Sequence, residues 1–293
     1  MNSFTIRDIE NLCRIKAHTL RIWEQRYQLH IPKRKAGNHR YYDNDDLKYL
    51  LRIAYLYHNG HKISALAKLN EEQLRQLAHT QSGAGNRADI FVEQLTEASL
   101  DFNQETFDNA LQTIIEQLGF EKAITQVAYP FLKRIGLLWM TGNVVPAQEH
   151  FASALITKKI YMAIDELGPG AGEASFRKVL MYAPKGEFHE IPLLYMRYLM
   201  KKNRIPVVYF GANIGLEALQ YYCRQKEVSH LYFHLVTYLL RCEPDQYVKK
   251  LRGLFPDKEI VISGKLGEEL REVHPHTRVL KGLQEMVAFA GEF

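Results

Sequence analysis

Apolar residues recur along this chain in three different rhythms, and each rhythm predicts a different kind of structure. In the first 80 residues they form short helical clusters separated by turn chemistry. Thr5 can cap a helix over residues 6–12, and Lys16-Ala17-His18-Thr19 can turn into a second helix ending near Tyr27. On that second helix Leu20, Trp23 and Tyr27 fall at i, i+3 and i+7, an apolar stripe for packing, while Lys16, His18, Arg21 and Gln25 project elsewhere. Two short helices and a tight turn make a helix-turn-helix. Pro32 stops helical structure, and Gly37-Asn38 is a turn between a basic arm and an Arg40-Tyr41-Tyr42 strand, giving a small β-wing. A helix over 43–58, capped by Asp43 or Asn44, carries Leu47, Leu50, Leu51, Ala54 and Tyr57 on one side. Another follows Gly60-His61 and contains Ile63, Leu66 and Leu69.

The second rhythm begins after residues 80–86, a polar, glycine-containing stretch that reads as a flexible linker. Phe91, Leu95 and Leu100, then Phe107, Leu111, Ile114, Ile115 and Leu118, then residues 124–135 and 149–167 keep helical spacing and predict a four-helix bundle. After Gly168-Pro169-Gly170 the third rhythm alternates apolar strands at 178–183, 207–210, 230–235 and 259–262 with helices over 193–202, 215–227 and 244–255. Repeated strand–helix units imply a parallel, doubly wound sheet, in which ligands bind at the carboxyl ends of the strands. The fold class expected is multidomain, α followed by α/β. It comprises a winged helix-turn-helix over 1–78, a linker over 79–86, a four-helix bundle over 87–168 and a doubly wound parallel sheet over 169–293.

Charge changes this picture from architecture to function. Residues 1–80 hold 14 Lys and Arg against 8 Asp and Glu, so the whole of the chain's net +5 resides there. Residues 14–40 alone contain Arg14, Lys16, Arg21, Arg26, Lys33, Arg34, Lys35 and Arg40 with Glu24 as the one acid. Duplex DNA binding draws most of its affinity from such cations against phosphates, through release of counterions. A polar helix face in a major groove and wing cations on the backbone are the expected footprint.

The rest of the composition narrows the remaining choices. At 293 residues the chain has room for two or three domains, each with its own core. No apolar run reaches about 18 residues and the N-terminus lacks a signal-peptide pattern, so a cytoplasmic protein without a membrane partner is expected. Cys13, Cys223 and Cys242 are too few and too scattered for a disulfide framework or a thiolate metal site.

One loop in the third segment carries candidate chemistry. After the first strand comes Pro184-Lys185-Gly186-Glu187-Phe188-His189-Glu190-Ile191-Pro192. A carboxylate two residues before a histidine can orient the imidazole by one nitrogen while the other coordinates a metal. The other reading of the same residues is a solvated surface loop.

Thr19-Leu20-Arg21-Ile22-Trp23-Glu24-Gln25-Arg26-Tyr27, the Pro32-Lys33-Arg34 arm, the Asn38-His39-Arg40-Tyr41-Tyr42 wing and Asp45-Asp46-Leu47 occur in the order of the MerR family of winged helix-turn-helix regulators. The first 75 residues resemble that family, with Arg14 where many members carry Gly. The resemblance implies DNA contacts from Lys16, His18, Thr19, Arg21, Trp23, Arg26, Lys33, Arg34, Lys35, Asn38, His39, Arg40 and Tyr41. Its expected partners are double-stranded DNA at a roughly palindromic promoter site, further copies of the chain in a dimer or tetramer, and RNA polymerase.

Residues 87–290 resemble the cobalamin-binding domains of the light- and cobalamin-responsive class of MerR regulators. Glu187-x-His189 is similar to their Asp/Glu-x-His-x-x-Gly motif, Trp139 with Glu149-His150 to their Trp-x9-Glu-His motif, Thr237-Tyr238-Leu239 to Ser-x-Leu, and Ser263-Gly264 to Gly-Gly. Cobalamin is the implied cofactor, with His189 as the metal ligand and Trp139, Glu149, His150, Glu187, Thr237, Ser263 and Gly264 around it. Three positions depart from the pattern: Pro192 replaces the motif glycine, Ser263 the first glycine of the pair, and Met140 a histidine of the light-sensing members.

These readings make the chain a regulator whose C-terminal part senses a ligand or sets oligomeric state. The rival from another class is a corrinoid carrier or methyltransferase-type module. It lacks a substrate domain of barrel size, because the residues before the bundle already form the DNA module. A third reading keeps the regulator and gives its C-terminal domain a protein partner in place of cobalamin.

Overall fold

The computed structural model describes residues 4–13, 15–29, 33–34, 40–58, 60–80, 87–140, 145–168, 178–236, 243–268, 270–271 and 274–292. They fall into two compact units, Met1–Ile156 and Thr157–Phe293.

The first unit begins with α1 (Ile6–Cys13). Asp8 N donates to Thr5 Oγ1 at 3.3 Å and Thr5 N donates to Asp8 Oδ2 at 2.7 Å, so two helix-end donors are satisfied reciprocally. α2 (Ala17–Tyr27) ends at Gln28, whose φ of 50° lies in the left-handed region. β1 (Lys33–Arg34) pairs antiparallel with β2 (Arg40–Tyr41), and a bridge from Phe4 to Tyr42 ties this wing to the chain's start. The wing turn expected at Gly37-Asn38 lies outside the described residues.

α3 (Asn44–His58) is capped by Asp43, whose Oδ1 accepts from Asp46 N at 3.0 Å. The helix expected to hold Ile63, Leu66 and Leu69 ends before Leu69, as α4 (Ile63–Leu66), and a further helix, α5 (Glu71–Thr80), follows. Asn70 causes the break, because its Oδ1 accepts from Gln73 N while Gln73 Oε1 accepts from Asn70 N, a reciprocal cap that starts a new helix after Leu69. Phe4, Ile9, Leu47, Ile53 and Leu56 form the buried centre of this head. α5 runs through Thr80, and residues 81–86 of the expected linker lie outside the described residues.

Four helical stretches follow, as the apolar spacing predicts. They are α6 (Arg87–Leu100), α7 (Gln104–Leu118), a composite third helix, and α10 (Pro146–Glu166), inside which the division between the two units falls. Asn103 caps α7 by accepting from Thr106 N at 3.0 Å. The composite runs from α8 (Phe120–Lys122) through a π-helical turn (Ala123–Ala128) into α9 (Tyr129–Met140). Pro130 has no N–H to donate to the preceding turn, and the helical register widens just before it.

The second unit is a five-stranded, all-parallel sheet in the order β4-β3-β5-β6-β7. Its strands are β3 (Val179–Pro184), β4 (Val207–Ile214), β5 (His230–His234), β6 (Glu259–Ser263) and β7 (Thr277–Leu280). The helices between and after them are α11 (Ile191–Lys202), α12 (Leu216–Gln225), α13 (Pro244–Leu254), α14 (Lys265–Glu268) and α15 (Gly282–Ala290). β3 is buried throughout and β5 and β6 nearly so, because they lie inside the sheet with layers on both faces, which is why they read as continuous apolar runs. β7, α14 and α15 were not expected from the sequence. The order of strands reverses between β3 and β5, and the crevice at their carboxyl ends is where such sheets take ligands.

Candidate nucleic-acid interface and candidate cofactor site

The cationic surface of the head is built on α2. Leu20 and Trp23 face inward, which leaves Lys16, His18, Arg21, Gln25 and Arg26 exposed. The helix start lacks a side-chain cap at Lys16. Glu10 of α1 supplies it: Oε2 accepts from Ala17 N at 3.2 Å, and Oε1 pairs with the Lys16 ammonium at 3.1 Å. The bond to Lys16, more than any other influence, holds the Glu10 carboxyl below its ordinary range. The one acid of the basic stretch, Glu24, accepts from the Tyr42 hydroxyl and so joins α2 to the base of the wing.

Two of the expected DNA contacts have partners within the head itself. Trp23 is only 5% exposed and meets Tyr57 edge-on, ring centroids 4.8 Å apart. It shapes the seat of α2 and does not reach outward. Lys33 forms an ion pair with Asp43, with Asp46 3.8 Å away, so its charge is shared with the head itself. Its hydrogen bond to Asp43 raises its pKa, and the same pairing ties the wing to the start of α3. Thr19 is half-buried with Oγ1 3.4 Å from His18 Nε2. Arg34 and Arg40 lie on the two wing strands and Tyr41 is half-buried beside Arg40. The side chains of Arg34 and Arg40, and Lys35, Asn38 and His39 altogether, lie outside the described residues.

The second candidate site occupies the strand ends of the second unit. Glu187 is fully buried in the loop after β3. Its Oε1 accepts from Phe188 N at 3.0 Å and His189 N at 3.1 Å, and lies 2.5 Å from His189 Nδ1. Its Oε2 accepts from Val236 N, just beyond β5, at 2.9 Å. One carboxylate therefore fastens the loops on both sides of the switch point and also sets the His189 ring. The imidazole is half exposed, and with Nδ1 on Glu187 it would coordinate a metal through Nε2. The loop after β4 is joined in as well: Gly186 N donates to Asn213 Oδ1 at 3.0 Å and Asn213 N donates to the Glu187 carbonyl at 3.1 Å. Asn213 adopts φ 60°, a conformation that its side chain tolerates better than most.

Pro192, the departure from the motif glycine, occupies the first turn of α11. A missing N–H costs nothing there. Ser263 is also explained by its surroundings. It is fully buried, with its Oγ 2.6 Å from the Tyr232 hydroxyl and 2.7 Å from His234 Nδ1. Its hydroxyl therefore bonds within the sheet's interior. Burial pushes the His234 pKa down to about 4, with Glu187 opposing and His189 adding to the effect, so the ring is neutral near pH 7. Gly264, at φ +94°, is required by close packing. A Cβ there would sit 2.2 Å from the Leu235 carbonyl oxygen.

The other expected cofactor residues are less informative. Thr237 and the side chains of Trp139 and Met140 lie outside the described residues. Glu149 and His150 begin α10 within the first unit, 2.9 Å apart between Oε2 and Nδ1, and Ser153 Oγ donates to Glu149 Oε1 at 2.5 Å. Sequence reasoning missed His234 and Tyr232, which read simply as strand, and the pair Glu190–Tyr209. There the phenol donates to Glu190 Oε1 at 2.7 Å, under the Arg197 guanidinium 5.0 Å from the ring centroid. Burial first, and then that bond, drive the Tyr209 pKa far up. The available signal was position: polar residues ending or entering buried strands at the edge where ligands bind.

Among the described residues no cluster of three or more His, Cys, Asp or Glu could hold a metal ion. A single histidine suffices for a metal that arrives already held by a macrocycle, and His189, oriented by the buried Glu187 carboxylate, could hold such a metal.

The family described as MerR HTH family regulatory protein matches residues 4–73, and the B12 binding domain matches residues 92–163. The HTH-type transcriptional repressor CarA of Myxococcus xanthus is 29% identical over 223 residues, 75% of this chain and 72% of that protein. The HTH-type transcriptional repressor CarH of the same organism is 25% identical over 223 residues, 74% of this chain and 73% of that one. In fold, the Methanosarcina barkeri monomethylamine corrinoid protein superposes with a TM-score of 0.54 at 14% identity, covering 69% of this chain and 97% of its own.

Proposed function

This chain is a MerR-type helix-turn-helix transcriptional regulator carrying a B12-binding domain, and from that premise we propose that it binds a promoter as an oligomer and that cobalamin held through His189 controls that binding. The observation that carries the reading is the Glu187–His189 pair at the switch point, in the same chain as a helix whose outward face is cationic. Two recognition helices of a dimer would enter successive major grooves of a roughly palindromic site, with the wings on the backbone, where RNA polymerase also works. The exposed side chains of His18, Arg21 and Gln25 would read base edges. Lys16, Arg26 and the wing arginines are suited to phosphates.

When bound, the corrinoid would supply a cobalt ion able to exchange one of its ligands. The protein's part is to hold and orient. Glu187 fixes the tautomer and direction of the imidazole, and its bond to Val236 N makes that orientation depend on the closed arrangement of both loops. Loss of the bond at His189 would release no charge into the interior, since Glu187 keeps three backbone donors. The function proposed is regulation and not catalysis, in keeping with the regulators CarA and CarH.

The test is the visible spectrum of purified protein after incubation in the dark with adenosyl-, methyl- and hydroxocobalamin followed by desalting, with His189→Ala in parallel. Retained corrinoid whose spectrum changes in the variant is the expected result. Absence of retention from every form would overturn cobalamin control and leave a protein partner as the signal.

A further inference from the structure

α2 presents one residue that its cationic face does not explain. Ile22 is 50% exposed, the one exposed large aliphatic side chain among the described residues of the first 80. It lies one helical turn from His18 at i−4, Gln25 at i+3 and Arg26 at i+4, all exposed. Polar and cationic neighbours offer it no apolar packing. A β-branched residue at an exposed helical position also gives up side-chain freedom for no local return, so propensity does not account for it.

The face on which it stands supplies the account. If α2 enters a major groove, base edges there offer donors and acceptors to His18, Arg21 and Gln25, and they offer a single apolar group, the 5-methyl of thymine. We propose that Ile22 is a specificity-determining residue that selects thymine at one position in each half-site by burying that methyl between its own branches and the groove floor. The proposal rests on the DNA-binding reading above. It adds an apolar contact to a set otherwise made of hydrogen bonds and charge.

The size of the effect follows from the area involved. Removing one buried methyl from water is worth enough to change affinity about fourfold per half-site. Deoxyuridine differs from thymidine by that methyl alone, so it isolates the contact.

The full chain would first be used to enrich a binding site from a random duplex library. Each thymine of that site would then be replaced by deoxyuridine, and binding measured by fluorescence anisotropy for the wild type, Ile22→Ala and Ile22→Val. One thymine per half-site should be methyl-sensitive, with about fourfold weaker wild-type binding on replacement. Ile22→Ala should bind the two duplexes equally, and Ile22→Val should retain part of the discrimination. A methyl effect of the same size in wild type and Ile22→Ala, or none at any thymine, would overturn the role of Ile22. Failure to enrich any site would instead overturn the DNA-binding reading beneath it.

Discussion

Glu93 offers the sharpest test of the energetics of this structure. It lies on α6, 8% exposed, and among the described residues its Oε1 has no hydrogen-bond partner. Burial, then the nearby Glu97 carboxylate, raise its pKa from 4.5 to about 8, against the pull of Arg134 and Arg52. At about 1.4 kcal/mol per pH unit, that displacement amounts to about 5 kcal/mol against the ionised form in the folded chain. The sign follows directly. Between about pH 4.5 and pH 8 the folded state keeps a proton that the unfolded state has lost, so stability falls as pH rises through this window and is level outside it. Glu93→Gln preserves the shape and removes the ionisation. The variant should match the wild type near pH 4.5, exceed it by about 3 kcal/mol at pH 7, and exceed it by about 5 kcal/mol at pH 9. For a chain of this size each kcal/mol raises the melting temperature by about 2 °C or less. Thermal melts of both proteins at the three pH values would read the effect. A variant that is less stable than wild type by the same amount at pH 5 and pH 9 would refute the reasoning, because it would mean that Glu93 is ionised and paired throughout.

Three further outcomes are expected. Gly264→Ala should destabilise the second unit by about 2 kcal/mol or more, since its Cβ would collide with the Leu235 carbonyl at a left-handed φ; an unchanged melting temperature would count against the packing described. Glu187→Gln should weaken corrinoid retention by about 10–100-fold with His189 intact, read by equilibrium dialysis, because the ring loses its orienting carboxylate. Arg40→Ala should weaken DNA binding across sequences and reduce the salt slope by about 0.9, whereas Arg21→Ala should alter site preference. Mobility shifts on a site panel at several salt concentrations distinguish the two, and unchanged affinity in both variants would sink the interface.

The head was legible because its signals are local. Thr5 and Asp8, Asp43 and Asp46, and the paired apolar stripes of α1 and α2 state their roles within a few residues. The split between α4 and α5 was equally local, since Asn70 and Gln73 have capping-box spacing, but the run Ile63, Leu66, Leu69 obscured it. β7 was illegible for a different reason. It is an edge strand of Thr277, Arg278, Val279 and Leu280 in which only Leu280 is buried, so it lacks the apolar run that marks the inner strands. The Glu187–His189 pair could be read from spacing, but its bond to Val236 could not, because that contact depends on the order in which strands enter the sheet. Trp23 was a conflict between two sequence signals. Its burial follows its place on the packing stripe.

The link between head and bundle is also a matter of buried charge, and its value lies in register. Lys48 of α3 reaches Asp101 at 2.5 Å, just past the end of α6, and Arg52, only 4% exposed, pairs with Glu97 of α6 and lies 3.7 Å from Glu71 of α5. A buried pair of this kind adds little net stability, because desolvating both ions offsets most of their attraction, yet a mismatched register would strand a buried guanidinium at a cost of several kcal/mol. Arg52 thus allows α3 one seat on α6. Glu93 lies on the same helix one turn before Glu97, so neutralising it lowers the density of negative charge around Arg52 without removing the pair. A displacement of α6 that breaks Arg52 from Glu97 would leave the buried guanidinium short of its partner at a cost of several kcal/mol, which favours the register described.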